Sequence, residues 1–155
     1  MHTLVVYAST SGNTRRVAEA MAEALSSRGP VELLMADGLT AELPPADVVF
    51  IGGPTEGHAM TRPMSRLLER VPAETWRGRA VAAFDTRLRW PRFLSGSAAV
   101  DIAERLEAAG ALLVAEPESF MVSMKPMLEP GERERAGTWA LGVAEAAQRA
   151  EAPVR

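Results

Sequence analysis

Apolar and polar positions alternate in blocks along this chain, and the spacing within the blocks changes period as it proceeds. Residues 4–8 form an unbroken apolar run, the pattern of a strand buried on both faces. Small polar residues follow, and then Val17, Met21 and Leu25 recur at helical spacing. Residues 31–35 predict a second strand after the break at Gly29 and Pro30. The segment 37–45 contains Gly38, Pro44 and Pro45, so only a short helix or a loop fits there. Residues 48–51 predict a third strand with 52–58 as its exit loop. Met64, Leu67, Leu68 and Val71 then mark one face of a helix, with Pro63 in its tolerant first turn. Residues 80–84 predict a fourth strand, followed by a long connection over 85–96. Ser97 is placed to cap a helix that presents Val100, Ala103, Leu106 and Ala109 and ends at a left-handed Gly110. A fifth strand begins at 112–115 and continues beyond Pro117 over 120–122. Glu132 and Glu134 suit the first turn of a last helix, whose Trp139, Val143 and Ala147 face inward.

Five strands alternating with helices predict a single α/β domain over residues 1–155: a doubly wound, five-stranded parallel sheet with helices on both faces. Composition narrows the function classes. A net charge of −3 argues against a general nucleic-acid binder. No apolar run reaches the roughly 18 residues of a membrane span. The first residues lack a basic region and run straight into strand, so no signal peptide is expected. The chain has no Cys, which excludes thiolate catalysis, disulfides and Fe–S clusters, and its two His, at positions 2 and 58, make a His-based metal site a poor expectation. A reducing cytoplasm is the expected setting.

The chemistry points to the first strand–helix junction. Ser9, Thr10, Ser11, Gly12, Asn13 and Thr14 lie where the first backbone N–H groups of a helix lack partners and its dipole favours negative charge. Such a junction holds phosphate without a formal positive charge. Gly12 lacks the Cβ that would keep a ligand from the backbone, and the hydroxyls add donors. A Walker loop is excluded, because no Lys lies nearby, and a dinucleotide fingerprint is excluded, because the loop has one Gly. A Ser/Thr-rich turn that merely caps a helix is the alternative reading of the loop taken alone.

Ser9-x-Ser11-Gly12-x-Thr14 resembles the flavodoxin phosphate loop (S/T)-x-T-G-x-T, with Ser in place of the central Thr. The resemblance runs over nearly the whole chain and is to the short-chain form. It implies sheet order 2-1-3-4-5. It implies FMN as cofactor, with the phosphate in loop 9–14 and the isoalloxazine between loops 53–60 and 85–95. By this resemblance Pro54, Thr55, Glu56, Gly57 and His58 flank one side of the ring, and Asp85, Thr86, Arg87 and Trp90 the other. Trp90 is the expected stacking residue; packing on the domain surface beside Pro91 is its alternative. Phe93 is expected in the core.

Two features depart from the family pattern. Many flavodoxins carry a Trp in the second loop, where this chain has Glu56-Gly57-His58; His58 is expected to cover the ring or to be a solvated loop residue. Flavodoxins are typically acidic around the flavin, which lowers the potential of the reduced anion. Here Arg87, Arg89 and Arg92 occupy the third loop, and predict either a higher potential or a partner with an acidic face; side chains pointing to water are the alternative. Glu118 and the run from Glu132 to Arg135 read as solvated surface.

The expected function is an FMN-binding electron-transfer protein that serves a redox partner protein or a small-molecule acceptor. The alternatives are a small FMN-dependent oxidoreductase acting on a quinone or porphyrin-type substrate, and a flavin-free interaction domain on the same scaffold. A receiver domain is excluded for want of acids at the strand ends. A serine hydrolase lacks a base and acid beside Ser9 or Ser11.

Overall fold

Side chains of the central strands are buried at successive positions and alternate with period two between the two faces of the sheet, which divides the interior into two layers. The computed structural model describes residues 1–153. Its strands are β1 (Thr3–Tyr7), β2 (Val31–Met35), β3 (Val48–Glu56), β4 (Ala59–Met60), β5 (Ala80–Leu88), β6 (Leu112–Leu113) and β7 (Glu118–Val122). The helices are α1 (Asn13–Leu25), α2 (Arg62–Arg70), α3 (Ala73–Trp76), α4 (Arg92–Ser95), α5 (Ala98–Ala108) and α6 (Glu132–Glu151).

The main sheet is parallel, in the order β2-β1-β3-β5, with β6 and β7 together filling the last place beside β5. This is the doubly wound 2-1-3-4-5 arrangement, its fifth strand broken into two pieces that pair with the start and the end of β5. Leu4 and Val6 of β1, Val49 and Ile51 of β3 and Val81 and Ala83 of β5 face one layer, with Met64, Leu67, Ile102 and Leu106 from α2 and α5. Val5, Phe50, Ala82 and Phe84 face the other, with Val17, Met21 and Leu25 from α1 and Ala140, Val143 and Ala147 from α6. A sheet buried on both faces needs apolar residues at every position, which explains the continuous runs.

The helix faces differ in detail from the sequence pattern. Ile102 and Ala99 are buried in α5, while Val100 is half-buried. Trp139 is half-buried, set edge-on against Phe50 and Phe120 at 5.8 and 5.9 Å. Ser97 caps α5 and Gly110 follows it with φ 92°, both as expected. Among the described residues no helix is long and apolar enough to cross a membrane.

Two connections prove more ordered than loops. β3 runs on to Glu56 and pairs with β4, Thr55 opposite Met60 and Glu56 opposite Ala59. The second loop, 53–60, is therefore mostly a β-hairpin. β5 likewise runs on to Leu88, so Asp85, Thr86 and Arg87 are strand residues paired with Ser119, Phe120 and Met121. The third loop proper starts at Arg89. The reason is tertiary: β7 lies alongside and supplies hydrogen-bonding partners that the polar side chains of 85–88 do not advertise.

Candidate functional site

Three segments meet beyond the carboxyl ends of the strands, where open α/β sheets bind ligands. The first is the turn 9–14 between β1 and α1. Gly12, at the N-cap of α1, has φ 89°, and a Cβ built there meets nothing within 4 Å. The left-handed conformation, not crowding, therefore calls for Gly. No side chain caps α1 by hydrogen bond at this position. The Ser9 hydroxyl turns inward and accepts from the Gly12 N–H at 3.1 Å and the Arg15 N–H at 3.4 Å. Among the described residues, the amides of Thr10, Ser11, Asn13 and Thr14 donate to no protein atom. They are gathered at a helix N-terminus, where the dipole adds to their partial charge.

Two buried side chains hold this turn in shape. The Asn13 side-chain amide donates through Nδ2 to Ser11 Oγ at 3.1 Å and to the Pro126 carbonyl at 2.9 Å. Thr14 Oγ1 and Thr86 Oγ1 share a hydrogen bond of 2.7 Å. Thr86 thus ties the first segment to the third.

The hairpin 53–60 forms the second segment. Its tip includes Gly57, with φ 54°, and His58, with φ 68°. His58 makes a parallel bridge with Gly96. A Cβ on Gly96 would lie 2.0 Å from the His58 carbonyl oxygen, so this contact requires Gly. The hairpin tip is thereby closed onto the end of the third segment.

The third segment, 85–96, is organised by two charged groups. Asp85 is fully buried, and its Oδ2 accepts from Ser97 Oγ at 2.7 Å, the Ala99 N–H at 3.0 Å and Thr55 Oγ1 at 3.2 Å. The Thr55 hydroxyl in turn accepts from the Ala98 N–H at 2.9 Å. The carboxylate therefore sits at the amino end of α5, where negative charge is favoured, and links the hairpin to that helix. Arg87 is half-buried. Its Nε donates to Ser119 Oγ at 2.9 Å, and one Nη reaches the carbonyl of Trp90 at 2.7 Å and Ser95 Oγ at 3.2 Å. The guanidinium fixes the course of the chain around Trp90 and lines one wall of the cleft.

The third-loop arginines divide three ways. Arg87 is bound by the chain, and Arg89 pairs with Glu129 at 2.6 Å, which raises the Arg89 pKa and neutralises its field locally. The Arg92 side chain makes no hydrogen bond or ion pair among the described residues. The alternative, that all three point to water and bind nothing, fails for the first two.

A cleft of about 210 Å³ opens between the hairpin and the third segment, lined by Thr55, His58, Arg87, Trp90, Leu94 and Ser95. Trp90 is 47% exposed, with its ring at the cleft rather than in the core. Phe93 is 84% exposed, which overturns its placement in the core. Phe93 stands on the outer side of the four-residue α4, which presents it to solvent. A larger groove of about 530 Å³ between α1 and α6 lies where Ala20, Ala24 and Gly137 leave room, away from the carboxyl ends of the strands.

The sequence gives no sign of the brace behind β7. Glu132 is buried, not solvated. Its carboxylate accepts from the Met121 N–H at 2.6 Å and from Arg135 at 2.8 and 2.9 Å. Arg135 also pairs with Glu118 at 3.3 Å, donates to the Ser119 carbonyl, and lies 4.5 Å from the centre of the Phe120 ring. The Arg135 hydrogen bonds, with help from Met121, hold the Glu132 pKa below the usual carboxylate range. The i, i+3 spacing of Glu132 and Arg135 could signal a pair, but not its burial.

A doubly wound domain with backbone donors gathered at one helix mouth, and an aromatic-lined cleft beside them, belongs to the nucleotide-binding class of α/β proteins. The flavodoxin family's sequence model matches residues 5–132, and the chain belongs to that family, whose cofactor is FMN. No curated protein matches the chain. Among solved structures it is similar to a flavodoxin from the domain Archaea, at 23% identity and TM-score 0.79, covering 96% of this chain and 99% of that one. It is also similar to flavodoxin 2 of Bacillus cereus, at 26% identity and TM-score 0.77, covering 94% and 99%. The rubredoxin oxygen:oxidoreductase of Desulfovibrio gigas matches 98% of this chain over 37% of its own length, at 20% identity and TM-score 0.79.

Proposed function

We propose that this protein holds FMN across the carboxyl ends of β1, β3 and β5 and passes electrons to a redox partner. The observation that carries the reading is the cluster of unpaired amides at the mouth of α1. The residues fit the group. Ser9, Thr10, Ser11, Gly12, Asn13 and Thr14 would receive the phosphate through N–H and hydroxyl donors, a dianion held without a lysine. Pro54, Thr55, Glu56, Gly57 and His58 on one side, and Asp85, Thr86, Arg87 and Trp90 on the other, would frame the ring.

FMN, when bound, supplies reversible one- and two-electron redox chemistry. The rest falls to the chain's own residues. Asp85 and the His58–Gly96 bridge fix the spacing of the two walls. Trp90 offers an aromatic face worth about 0.5–1.5 kcal/mol beyond area burial. Arg87 places a guanidinium at the cleft, where it would favour a negative ring and raise its potential. Each 1.4 kcal/mol of that preference corresponds to about 59 mV for a one-electron couple. A redox titration of the FMN-loaded protein tests this last point. A low-potential couple as negative as an ordinary flavodoxin's refutes it.

Binding itself is tested by titrating FMN into purified protein. Quenched flavin fluorescence and a raised melting temperature support the reading, whereas micromolar FMN that changes neither favours a flavin-free interaction domain. A second reading, a small FMN-dependent oxidoreductase, draws on the cleft that His58 and Arg87 line. Quinone-dependent NAD(P)H oxidation by the loaded protein would favour it over a carrier.

A further inference from the structure

Four exposed apolar side chains stand on two neighbouring segments at the rim of the cleft. Phe93 and Leu94 belong to α4 and are 84% and 50% exposed. Met124 and Met127 belong to the turn after β7 and are 74% and 62% exposed. β7 pairs with β5 up to Leu88 opposite Val122, so the two segments leave the sheet side by side. The Arg89–Glu129 pair and the Asn13–Pro126 hydrogen bond hold the turn between the third segment and the mouth of α1. Large aromatic and Met side chains left in water on a rigid frame are typical of contact sites, not of idle surface.

Charge says what kind of partner fits. Segments 9–16, 53–60, 85–96 and 123–129 carry Arg15, Arg16, Arg87, Arg89, Arg92 and Lys125 against Glu56, Asp85 and Glu129, while the whole chain has a net charge of −3. The carboxyl edge of the sheet is therefore positive and the remainder of the molecule acidic. Among the described residues, Arg92 and Lys125 make no ion pair and flank the apolar side chains in sequence.

We infer that this rim is the docking surface for a small acidic electron-transfer protein, with Phe93 at its apolar centre and Arg92 and Lys125 as its electrostatic guides. The inference rests on the electron-transfer reading for its purpose, but the surface can be tested separately. Such a surface sets approach and orientation through charge, and its hold through a few buried apolar anchors.

The test uses the ¹⁵N-labelled protein, with and without FMN, and two probes: a plant-type [2Fe–2S] ferredoxin as the acidic protein and a mitochondrial-type cytochrome c as the basic one. At low salt the ferredoxin should perturb the amide resonances of 90–95 and 124–127, and the cytochrome c those of other faces. Raising the ionic strength from about 20 mM to about 300 mM should weaken ferredoxin binding tenfold or more, because the Debye length contracts severalfold. Phe93→Ala and the double variant Arg92→Glu/Lys125→Glu should each weaken it about tenfold, with the melting temperature unchanged because both sites are exposed. Ferredoxin that fails to bind at low salt, ferredoxin perturbations confined to another face, or cytochrome c bound at 90–95 overturns the inference. Ferredoxin bound at the rim of a protein that takes up no FMN keeps the surface and removes the electron-transfer reading. FMN uptake without ferredoxin binding does the reverse.

Discussion

At the turn 9–14, the end of the cleft proposed above for the phosphate as the other is for the ring, the chain offers backbone amides on a helix terminus and leaves them unpaired. At the ring end, it spends its polar groups on itself: Asp85 on Ser97, Ala99 and Thr55, and Arg87 on Ser119, Trp90 and Ser95. The donors of the first end are set by local conformation, one left-handed Gly and one helix start, and the turn is steadied by the Asn13–Pro126 and Thr14–Thr86 hydrogen bonds. The second is made by long-range ties between β3, β5, β7 and α5. A ligand group that needs only donors can be served by a turn. A flat ring that needs two walls at fixed spacing requires the walls to be tied to each other. Substitutions at the ring end should therefore lower stability first, and those at the phosphate end should lower binding first.

The largest effect is expected from Asp85→Ala. It leaves the Ser97 hydroxyl and the Ala99 N–H without their acceptor in a fully buried place. Stranding a buried donor costs about 1–3 kcal/mol, and two are stranded here, so about 3 kcal/mol is expected. That corresponds to a fall in melting temperature of roughly 6–12 °C for a chain of this size. Asp85→Asn should recover more than half of the loss, because its carbonyl can accept the same bonds. Thermal unfolding of the two variants checks this, and equal loss in both would show that the charge, rather than the acceptor, is what the site uses.

Gly96→Ala comes next. At φ 69° and ψ −175° the residue occupies backbone space that is essentially open only to Gly. The new Cβ would also press on the His58 carbonyl. A loss of about 2–3 kcal/mol is expected, together with faster amide exchange at the hairpin tip and weaker FMN binding. A variant that binds FMN as the parent does would show that the bridge between the walls is dispensable.

A third test addresses the brace behind the ring end. Glu132 has its pKa lowered by Arg135 and the Met121 N–H. A carboxylate with a depressed native pKa contributes stability that is fully present above its unfolded value of about 4.3 and is lost as pH falls through the lower native value. Urea midpoints should accordingly fall on acidification through that window. Glu132→Gln should cost about 1–2 kcal/mol at neutral pH and make the acid loss shallower. An unchanged slope would assign the acid sensitivity to other carboxylates.

The same contrast decided what could be read from the sequence. The continuous apolar runs of β1, β3 and β5 and the i, i+3, i+4 pattern of α2 are local signals, and they gave the layers and the strand order its elements. The turn 9–14 was legible because a helix start and a Gly are written in consecutive residues. The hairpin at 53–60 and the extension of β5 to Leu88 were not. Each depends on a partner strand distant in sequence, and Gly, Pro and charged residues there imitate a loop. Phe93 looked like core because apolar residues usually are, and nothing in its neighbours in sequence tells which side of α4 it stands on. Glu132 looked solvated because a charge at a helix start usually is. Its partner Arg135 is visible in the sequence, but the strand that closes over the pair is not.

The smallest change in stability should come from the hydroxyl pair that joins the two ends, and it separates their roles most sharply. Thr14 and Thr86 are both buried and bonded to each other. Thr14→Val and Thr86→Val each remove one partner and strand the other, so each should cost about 1 kcal/mol, the worth of one such bond. Their effects on FMN should differ. Thr14 belongs to the turn that would hold the phosphate, and its hydroxyl can turn from Thr86 to an anion. Thr86→Val leaves that hydroxyl with no other partner, so affinity should be kept or improved. Thr14→Val removes a donor and should weaken FMN binding about tenfold, which is 1.4 kcal/mol. Fluorescence titrations of the two variants make the comparison. If both lose affinity equally, the pair only shapes the turn, and the anion is held by backbone N–H groups alone.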